Sequence, residues 1–134
     1  QIANFNTADY PDYQDFGDMS VRSPHATGYI RIDWFTPDGL NTWGDGRMFI
    51  LGKDGFIELR KYTDVAGREG GNHLFLVTQK ETLYMNCSDV YMPYGEQLVS
   101  DVVNRTETAM TQEHCFLATE LALLAQERAV KIGS

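Results

Sequence analysis

The sequence predicts the α+β fold class: an open-faced, mainly antiparallel (mixed) sheet with helices packed on one of its faces. Two observations lead to this prediction. Apolar and polar residues alternate with a period of two through the middle of the chain, which is typical of half-buried strands. Near the carboxyl end the period changes to that of a helix. Strands followed by helices are the element order of an α+β domain.

The middle of the sequence, residues 27–62, contains three alternating runs separated by turn residues. The runs are residues 28–35, 47–51 and 55–61, and they are rich in β-branched and aromatic side chains. The Gly-bearing connection at 52–55 suits a tight hairpin between the second and third runs. We therefore expect the three runs to be neighbouring strands of one central antiparallel meander, whose apolar face the helices cover.

Further elements flank this meander on both sides. We expect strands at residues 15–22, 74–78 and 82–86, and a short edge strand within residues 1–6. A helix is expected at 97–104. A longer one follows Thr111, whose side chain can accept a hydrogen bond from the first turn. On the longer helix, small residues form a stripe that lets it lie close against a sheet: Ala118, Ala122, Ala125 and Ala129.

Length and charge limit the classes of function. A chain of 134 residues with 43% hydrophobic content suits a single domain, residues 1–134. The net charge of −8 argues against binding to nucleic acid or to an anionic membrane surface. No run reaches the ~18 apolar residues of a membrane span. We interpret Cys87 and Cys115 as reduced thiols of a cytoplasmic protein, with a disulfide as the alternative.

The sequence contains no self-contained catalytic machinery. It has no Gly-rich strand–loop–helix motif for phosphate, and His25, His73 and His114 lie too far apart in sequence for zinc-ligand spacing. Four aspartates between residues 9 and 18 are spaced by three, whereas a calcium loop needs acids at alternate positions. We interpret that segment as a solvated loop with aromatic anchors. We assign no catalytic, cofactor-binding or metal-binding residue.

One face of the predicted meander is both aromatic and charged. It carries Tyr29, Arg31 and Asp33, and on the neighbouring strand Glu58 and Arg60. Such a mixed surface is typical of a wet subunit interface. The alternative is a sheet face open to water. We predict a homo-oligomer that forms through this face.

The chain resembles the carboxyl-terminal domain of the Gfo/Idh/MocA family of oxidoreductases. The resemblance lies in DWFTP at 33–37, WGDGR at 43–47 and ILGKDGFIELR at 50–60, in that order. The Asn-Arg-Thr at 104–106, followed by an Ala-rich helix, is similar to the way those chains finish. The resemblance covers nearly the whole sequence.

The family implies an NAD(P)-dependent dehydrogenase of a sugar, cyclitol or related polyol. Its amino-terminal Rossmann half binds NAD or NADP, and its carboxyl-terminal half supplies substrate contacts and the oligomer interface. This sequence has no dinucleotide fingerprint, no Glu-Lys-Pro motif and no Asp-x-x-x-His motif. We therefore expect a fragment that begins at Gln1, lacks the Rossmann domain, holds no cofactor and is inactive alone. The alternative is a stand-alone α+β binding or dimerisation module without redox activity.

The loop before the second run offers candidate substrate contacts. Trp43 provides a stacking surface, and Asp45 and Arg47 provide planar polar groups. Sugars are bound by such combinations. In the alternative interpretation, Trp43 packs on its own domain while Asp45 and Arg47 pair with each other.

Overall fold

The computed structural model describes residues 1–5 and 9–133 of the chain. They form two compact units. Unit 1 combines Gln1–Phe35 with the segment from Met92 onwards, and unit 2 is Thr36–Tyr91. Each unit contains one antiparallel sheet, and unit 1 also contains both α-helices, which confirms the α+β class. The expectation of a single domain stays a prediction.

Unit 1 begins with a three-stranded antiparallel sheet, sheet A, in the order β1-β2-β3. Its strands are β1 (Ile2–Ala3), β2 (Phe16–Arg22) and β3 (Thr27–Asp33). The helices are α1 (Tyr94–Asn104) and α2 (Gln112–Glu127). Thr111 caps α2 as predicted, because its hydroxyl accepts a hydrogen bond from the His114 N–H at 3.2 Å.

Part of the predicted small-residue stripe faces the apolar side of sheet A across a cleft. Ala122 and Ala125 of α2, and Ala129 just beyond its end, line this cleft together with residues of β2 and β3 that include Ile30 and Ile32. A helix with small residues can approach a sheet closely. A cleft separates the stripe from the sheet and Ala118 does not line it, so the close packing of the stripe stays a prediction.

Unit 2 contains a four-stranded antiparallel sheet, sheet B, in the order β4-β5-β6-β7. A short 3-10 helix, Asp38–Leu40, precedes it, and its strands are β4 (Gly46–Gly52), β5 (Gly55–Lys61), β6 (His73–Thr78) and β7 (Thr82–Asn86). Residues paired across antiparallel strands share a face. On one face the two central rows of paired residues hold only aliphatic or thioether side chains: Met48, Ile50, Ile57, Leu59, Leu74, Leu76, Leu83 and Met85. The rows at the two ends of this face add Lys61 opposite Gly46 and Thr78 opposite Gly55.

The predicted three-stranded meander is wrong in one respect. The hairpin of β4 and β5 forms as expected, with Gly52 paired to Gly55. However, β3 pairs with β2 and belongs to sheet A, whereas β4 belongs to sheet B. The connection at 34–45 contains the 3-10 helix and the left-handed residue Asn41, so it is too long and irregular for a tight hairpin.

The described residues bury little apolar surface. Ala3, at 4% exposure, is the one buried hydrophobic residue among residues 1–5 and 9–133. On α1, Val102 and Val103 are exposed, and on α2, Phe116 and Leu123 are exposed. Unit 2 has no α-helix of its own to cover the aliphatic face of sheet B. Neither described helix is long and apolar enough to cross a membrane.

Candidate functional site

The predicted substrate loop leads directly into β4. Asn41 adopts a left-handed conformation at φ 41°, and the Thr42 hydroxyl donates a hydrogen bond to the Gly44 carbonyl at 3.0 Å. These local contacts shape the loop before Trp43 and Asp45. Trp43 is 87% exposed, so most of its ring surface is accessible.

Asp45 and Arg47 form an ion pair. The Arg47 Nη2 atom lies 2.8 Å from Asp45 Oδ2, and both side chains remain partly accessible. This pairing is the alternative that the sequence left open, whereas the exposed Trp43 is what a stacking contact requires. The loop therefore presents one accessible indole and one carboxylate–guanidinium pair. Their role in substrate binding stays a prediction.

The strand register brings Arg47 onto the same face of sheet B as two of the predicted interface residues. Arg47 is paired with Arg60, which is paired in turn with His73 on β6. In the next row Phe49 is paired with Glu58, and Glu58 with Phe75. One face of sheet B is therefore charged and aromatic, in contrast with its aliphatic opposite face.

A buried carboxylate organises the charges on this face. Asp64 accepts hydrogen bonds from Arg60 Nη1 and Arg68 Nη1, both at 2.8 Å, and from the Ala66 N–H at 3.0 Å. The hydrogen bonds from Arg68 and Ala66 lower the pKa of Asp64 to about 2. The Arg60 Nε atom also donates to Glu58. Asp64 thus stays ionised and holds two arginines in place.

His73 is the most buried polar residue of this cluster, at 1% exposure. Its Nε2 lies 2.9 Å from the Gly70 carbonyl and its Nδ1 lies 2.8 Å from the Tyr84 hydroxyl. Because the carbonyl only accepts, Nε2 carries a proton, and in the neutral ring Nδ1 accepts from Tyr84. The guanidinium carbon of Arg68 lies 4.9 Å from the centre of the Tyr84 ring.

The cluster can hold charges in position, and it offers accessible hydrogen-bond donors through Arg68. His73 and Asp64 are buried and fully engaged, so they are structural groups in unit 2. Sequence reasoning missed Asp64 and Arg68, which lie in a Gly-rich loop. The available signal was the four-residue spacing of Arg60, Asp64 and Arg68.

The other predicted interface residues lie on one face of sheet A and interact there. The Tyr29 hydroxyl donates to Asp18 Oδ2 at 3.0 Å, which raises the pKa of Tyr29. Arg31 Nε donates to Asp33 Oδ2 at 2.6 Å, and its guanidinium carbon lies 5.4 Å from the ring centre of Phe16.

The expectation that Tyr29, Arg31 and Asp33 have Glu58 and Arg60 on a neighbouring strand is wrong. β3 pairs with β2, and β5 pairs with β4 and β6, so the two groups belong to different sheets. Their assignment to a subunit interface stays a prediction.

The aspartate-rich loop differs from the predicted solvated loop at one position. Asp15 is buried, and its Oδ1 accepts a hydrogen bond from the Phe5 N–H at 2.8 Å. Within residues 1–5 and 9–133, no group of three or more His, Cys, Asp or Glu side chains could hold a metal ion. Cys87 and Cys115 are free thiols, so the alternative of a disulfide between them does not hold.

Comparison with solved structures gives a match that spans this fold. The chain is similar to the crystal structure, at 1.25 Å resolution, of a "putative oxidoreductase" from Erwinia carotovora atroseptica SCRI1043. The TM-score is 0.91 and the sequences are 44% identical over 99% of this chain. This chain spans 40% of that protein. No protein-family model matches the chain, and no curated protein matches it.

Proposed function

We propose that this chain is the substrate-binding and oligomerisation part of an oxidoreductase of the Gfo/Idh/MocA type. In this proposal the full-length enzyme transfers a hydride between NAD or NADP and a sugar, cyclitol or related polyol. The observation that carries the proposal is the 44% identity over 99% of the chain with a protein described as an oxidoreductase. The segments at 33–37, 43–47 and 50–60 support the family.

The proposal assigns the cofactor to a part of the enzyme outside these residues. The oxidoreductase of known structure is longer than this chain, which spans 40% of it. A Rossmann domain in the remaining part would bind the dinucleotide, and these residues alone would be inactive. The two free thiols, Cys87 and Cys115, are consistent with the cytoplasmic location that we include in the proposal.

The proposed substrate site uses the loop before β4. Trp43 would stack against the apolar face of a sugar ring, because its indole is exposed. The Asp45 carboxylate would accept hydrogen bonds from hydroxyl groups, and Arg47 would donate to them. Their mutual ion pair holds both groups in position before the substrate arrives.

The exposed apolar surface of sheet B supports the proposed oligomer. Met48, Ile50, Leu83 and Met85 are exposed on a face whose two central rows are aliphatic or thioether side chains. Monomeric proteins rarely expose large contiguous apolar patches, so such a face marks an interaction surface. A second copy can cover it, because an aliphatic face is complementary to itself in a two-fold interface. Glu58 and Arg60, which the sequence predicted for the interface, lie on the opposite face of sheet B, so this part of the proposal moves the interface away from them.

An activity assay tests the redox part of the proposal. The full-length protein would be incubated with NAD or NADP and a panel of sugars and cyclitols while the absorbance of the reduced nicotinamide is followed. We expect turnover with at least one polyol, and no nicotinamide binding by residues 1–134 alone. Absence of hydride transfer to either cofactor across the panel would overturn the proposal in favour of a stand-alone binding or dimerisation module.

A further inference from the structure

Unit 1 contains an aromatic cleft that has no part in the function proposed above. Its volume is about 620 Å³, and it is lined by Tyr10, Pro11, Asp12, Tyr13 and Trp34. Three of its five lining residues are aromatic, and Asp12 supplies the charged group.

Hydrogen bonds hold one wall of the cleft in place. The Tyr13 N–H donates to the Tyr10 carbonyl at 3.2 Å, which closes a turn with Pro11 at its second position, where proline is favoured. The side-chain amide of Asn4 donates to the carbonyls of Tyr10 and Pro11, at 2.8 and 2.7 Å. The side chain of Asn4, which directly follows β1, therefore holds the turn in place.

The opposite wall comes from the end of β3. The Trp34 N–H donates to the Asp15 carbonyl at 3.0 Å, which ties this residue to the start of β2. The rings of Tyr13 and Trp34 lie 5.8 Å apart at an angle of 70°. Tyr10 is 68% exposed and Trp34 51% exposed, so aromatic surface remains open to a ligand. Nearly perpendicular rings can contact one compact group from two sides.

The charge of this region favours a cation. Residues 9–18 contain four aspartates; Asp18 is paired with the amino terminus, and Asp12 lines a neighbouring pocket together with Lys131. The chain as a whole carries a net charge of −8. Negative potential raises the local concentration of cations, and the negatively charged faces of aromatic rings attract them at short range.

The lining suits a methylated ammonium group. Asp12 is the one charged side chain among the five that line the cleft. The methyl groups of such a ligand would contact the rings, and its charge would be balanced by the carboxylate. A polyol would find hydrogen-bond partners in the tyrosine hydroxyls and the carboxylate, so it is the competing ligand that the test includes.

We propose that the cleft of Tyr10, Asp12, Tyr13 and Trp34 binds a small alkylated ammonium group, such as a trimethylated nitrogen. This site does not depend on the redox activity proposed for the full-length enzyme. The two proposals can therefore fail separately.

Competition between a charged and a neutral isostere tests the proposal. The full-length protein would be titrated with choline, with 3,3-dimethyl-1-butanol, which replaces nitrogen by carbon, and with myo-inositol. Saturation-transfer NMR of the methyl signals and calorimetry would report binding. We expect choline to bind roughly tenfold more tightly than its neutral isostere, because only the cation interacts with the rings and the carboxylate. Equal affinity of the two, or no saturable binding of choline, would overturn the proposal. Preferential binding of myo-inositol would replace it with a carbohydrate site.

Two substitutions test whether choline binds in this cleft. Tyr10→Leu retains apolar surface but removes a ring, and Asp12→Asn removes the charge. Each should weaken choline binding by roughly threefold or more while the neutral isostere is unaffected. Trp43→Ala is the control, because it removes a still more exposed aromatic ring, which lies in unit 2. Loss of choline binding in Trp43→Ala with no change in Tyr10→Leu would overturn the assignment to this cleft.

Discussion

The two sheets of this protein have similar polar faces but different apolar faces. In sheet A the polar residues interact with each other, as Arg31 does with Asp33, and in sheet B Arg60 does so with Glu58. The apolar face of sheet A shares a cleft with alanines of α2, whereas unit 2 has no α-helix for the aliphatic face of sheet B. The same alternation thus produces an apolar face that lies near a helix in one unit and has no α-helix in the other, and on both faces isoleucines stay accessible, as Ile32 and Ile50 do.

The largest effect is expected from a substitution that disrupts an oligomer formed through the aliphatic face of sheet B. Ile50→Glu places a charge on that face of β4, and desolvating it in an interface would cost at least about 3 kcal/mol. We expect the full-length protein to lose its oligomeric state in sedimentation velocity, with a drop in folded yield. Leu51→Glu is the matched control, because Leu51 is the next residue of β4 and its side chain is exposed on the opposite face. Equal behaviour of both variants would contradict a special role for the aliphatic face.

The next largest effect is expected at two carboxylates that each accept several hydrogen bonds, one in each unit. Asp64 in unit 2 holds two arginines, and Asp101 in unit 1 accepts from the Thr106 and Thr108 hydroxyls and the N–H groups of Thr108 and Ala109. We expect Asp64→Asn and Asp101→Asn each to lower the Tm by roughly 5 °C at neutral pH, since each removes a charged acceptor. Differential scanning calorimetry would measure both.

The pH dependence sharpens this comparison. The pKa of Asp64 is lowered from 3.8 to about 2, so its stabilisation is complete above about pH 5 and is lost as the pH falls through about 2. The Tm values of the wild type and of Asp64→Asn should therefore converge as the pH falls to about 2. The hydrogen bond from the Ala109 N–H and those from Thr106 and Thr108 hold the pKa of Asp101 well below its usual range, so Asp101→Asn should converge at a lower pH. A Tm difference for Asp64→Asn that is the same at pH 7 and pH 2 would rule out the ionised pair as its source.

A moderate effect is expected at the start of α2. Thr111→Ala removes the cap to the His114 N–H and should reduce the free energy of unfolding by about 1 kcal/mol. Thr119→Ala is the control, because the Thr119 hydroxyl donates to the Cys115 carbonyl within the helix. Such a bond adds little to helix stability, so this variant should change unfolding by less than about 0.5 kcal/mol. Urea denaturation would measure both, and equal losses would argue against a special role of the cap.

The smallest effect on stability is expected in the proposed substrate loop, where a substitution can change substrate binding and leave the free energy of unfolding almost unchanged. Asp45→Asn breaks an accessible ion pair and should change the free energy of unfolding by less than about 1 kcal/mol. If the proposed substrate site is correct, the same variant should raise KM for the polyol several-fold in the full-length enzyme. Tyr29→Phe, which removes the accessible hydrogen bond to Asp18 in sheet A, serves as the control with unchanged KM. An unchanged KM in Asp45→Asn would remove Asp45 from the site.

Several features could be predicted because neighbouring residues determine them. The alternation in β5 and β7, the two-residue turn before Gly55 and the cap at Thr111 follow from local sequence, and the structure confirms them. The loop around Trp43 was also predicted from turn residues and glycines, whereas the exposure of Trp43 itself was left open. In each case the deciding interactions join residues that are a few positions apart.

The sequence by itself therefore determined the elements, the composition of each face and the candidate residues of the substrate loop. Only the tertiary structure separated β3 from β4, buried Asp15 and His73, and brought Tyr13 beside Trp34. These outcomes depend on contacts between residues far apart in the chain, and period-two alternation is the same whichever strand becomes the neighbour. Local patterns indicate which side chains share a face. The packing of distant segments decides what that face contacts.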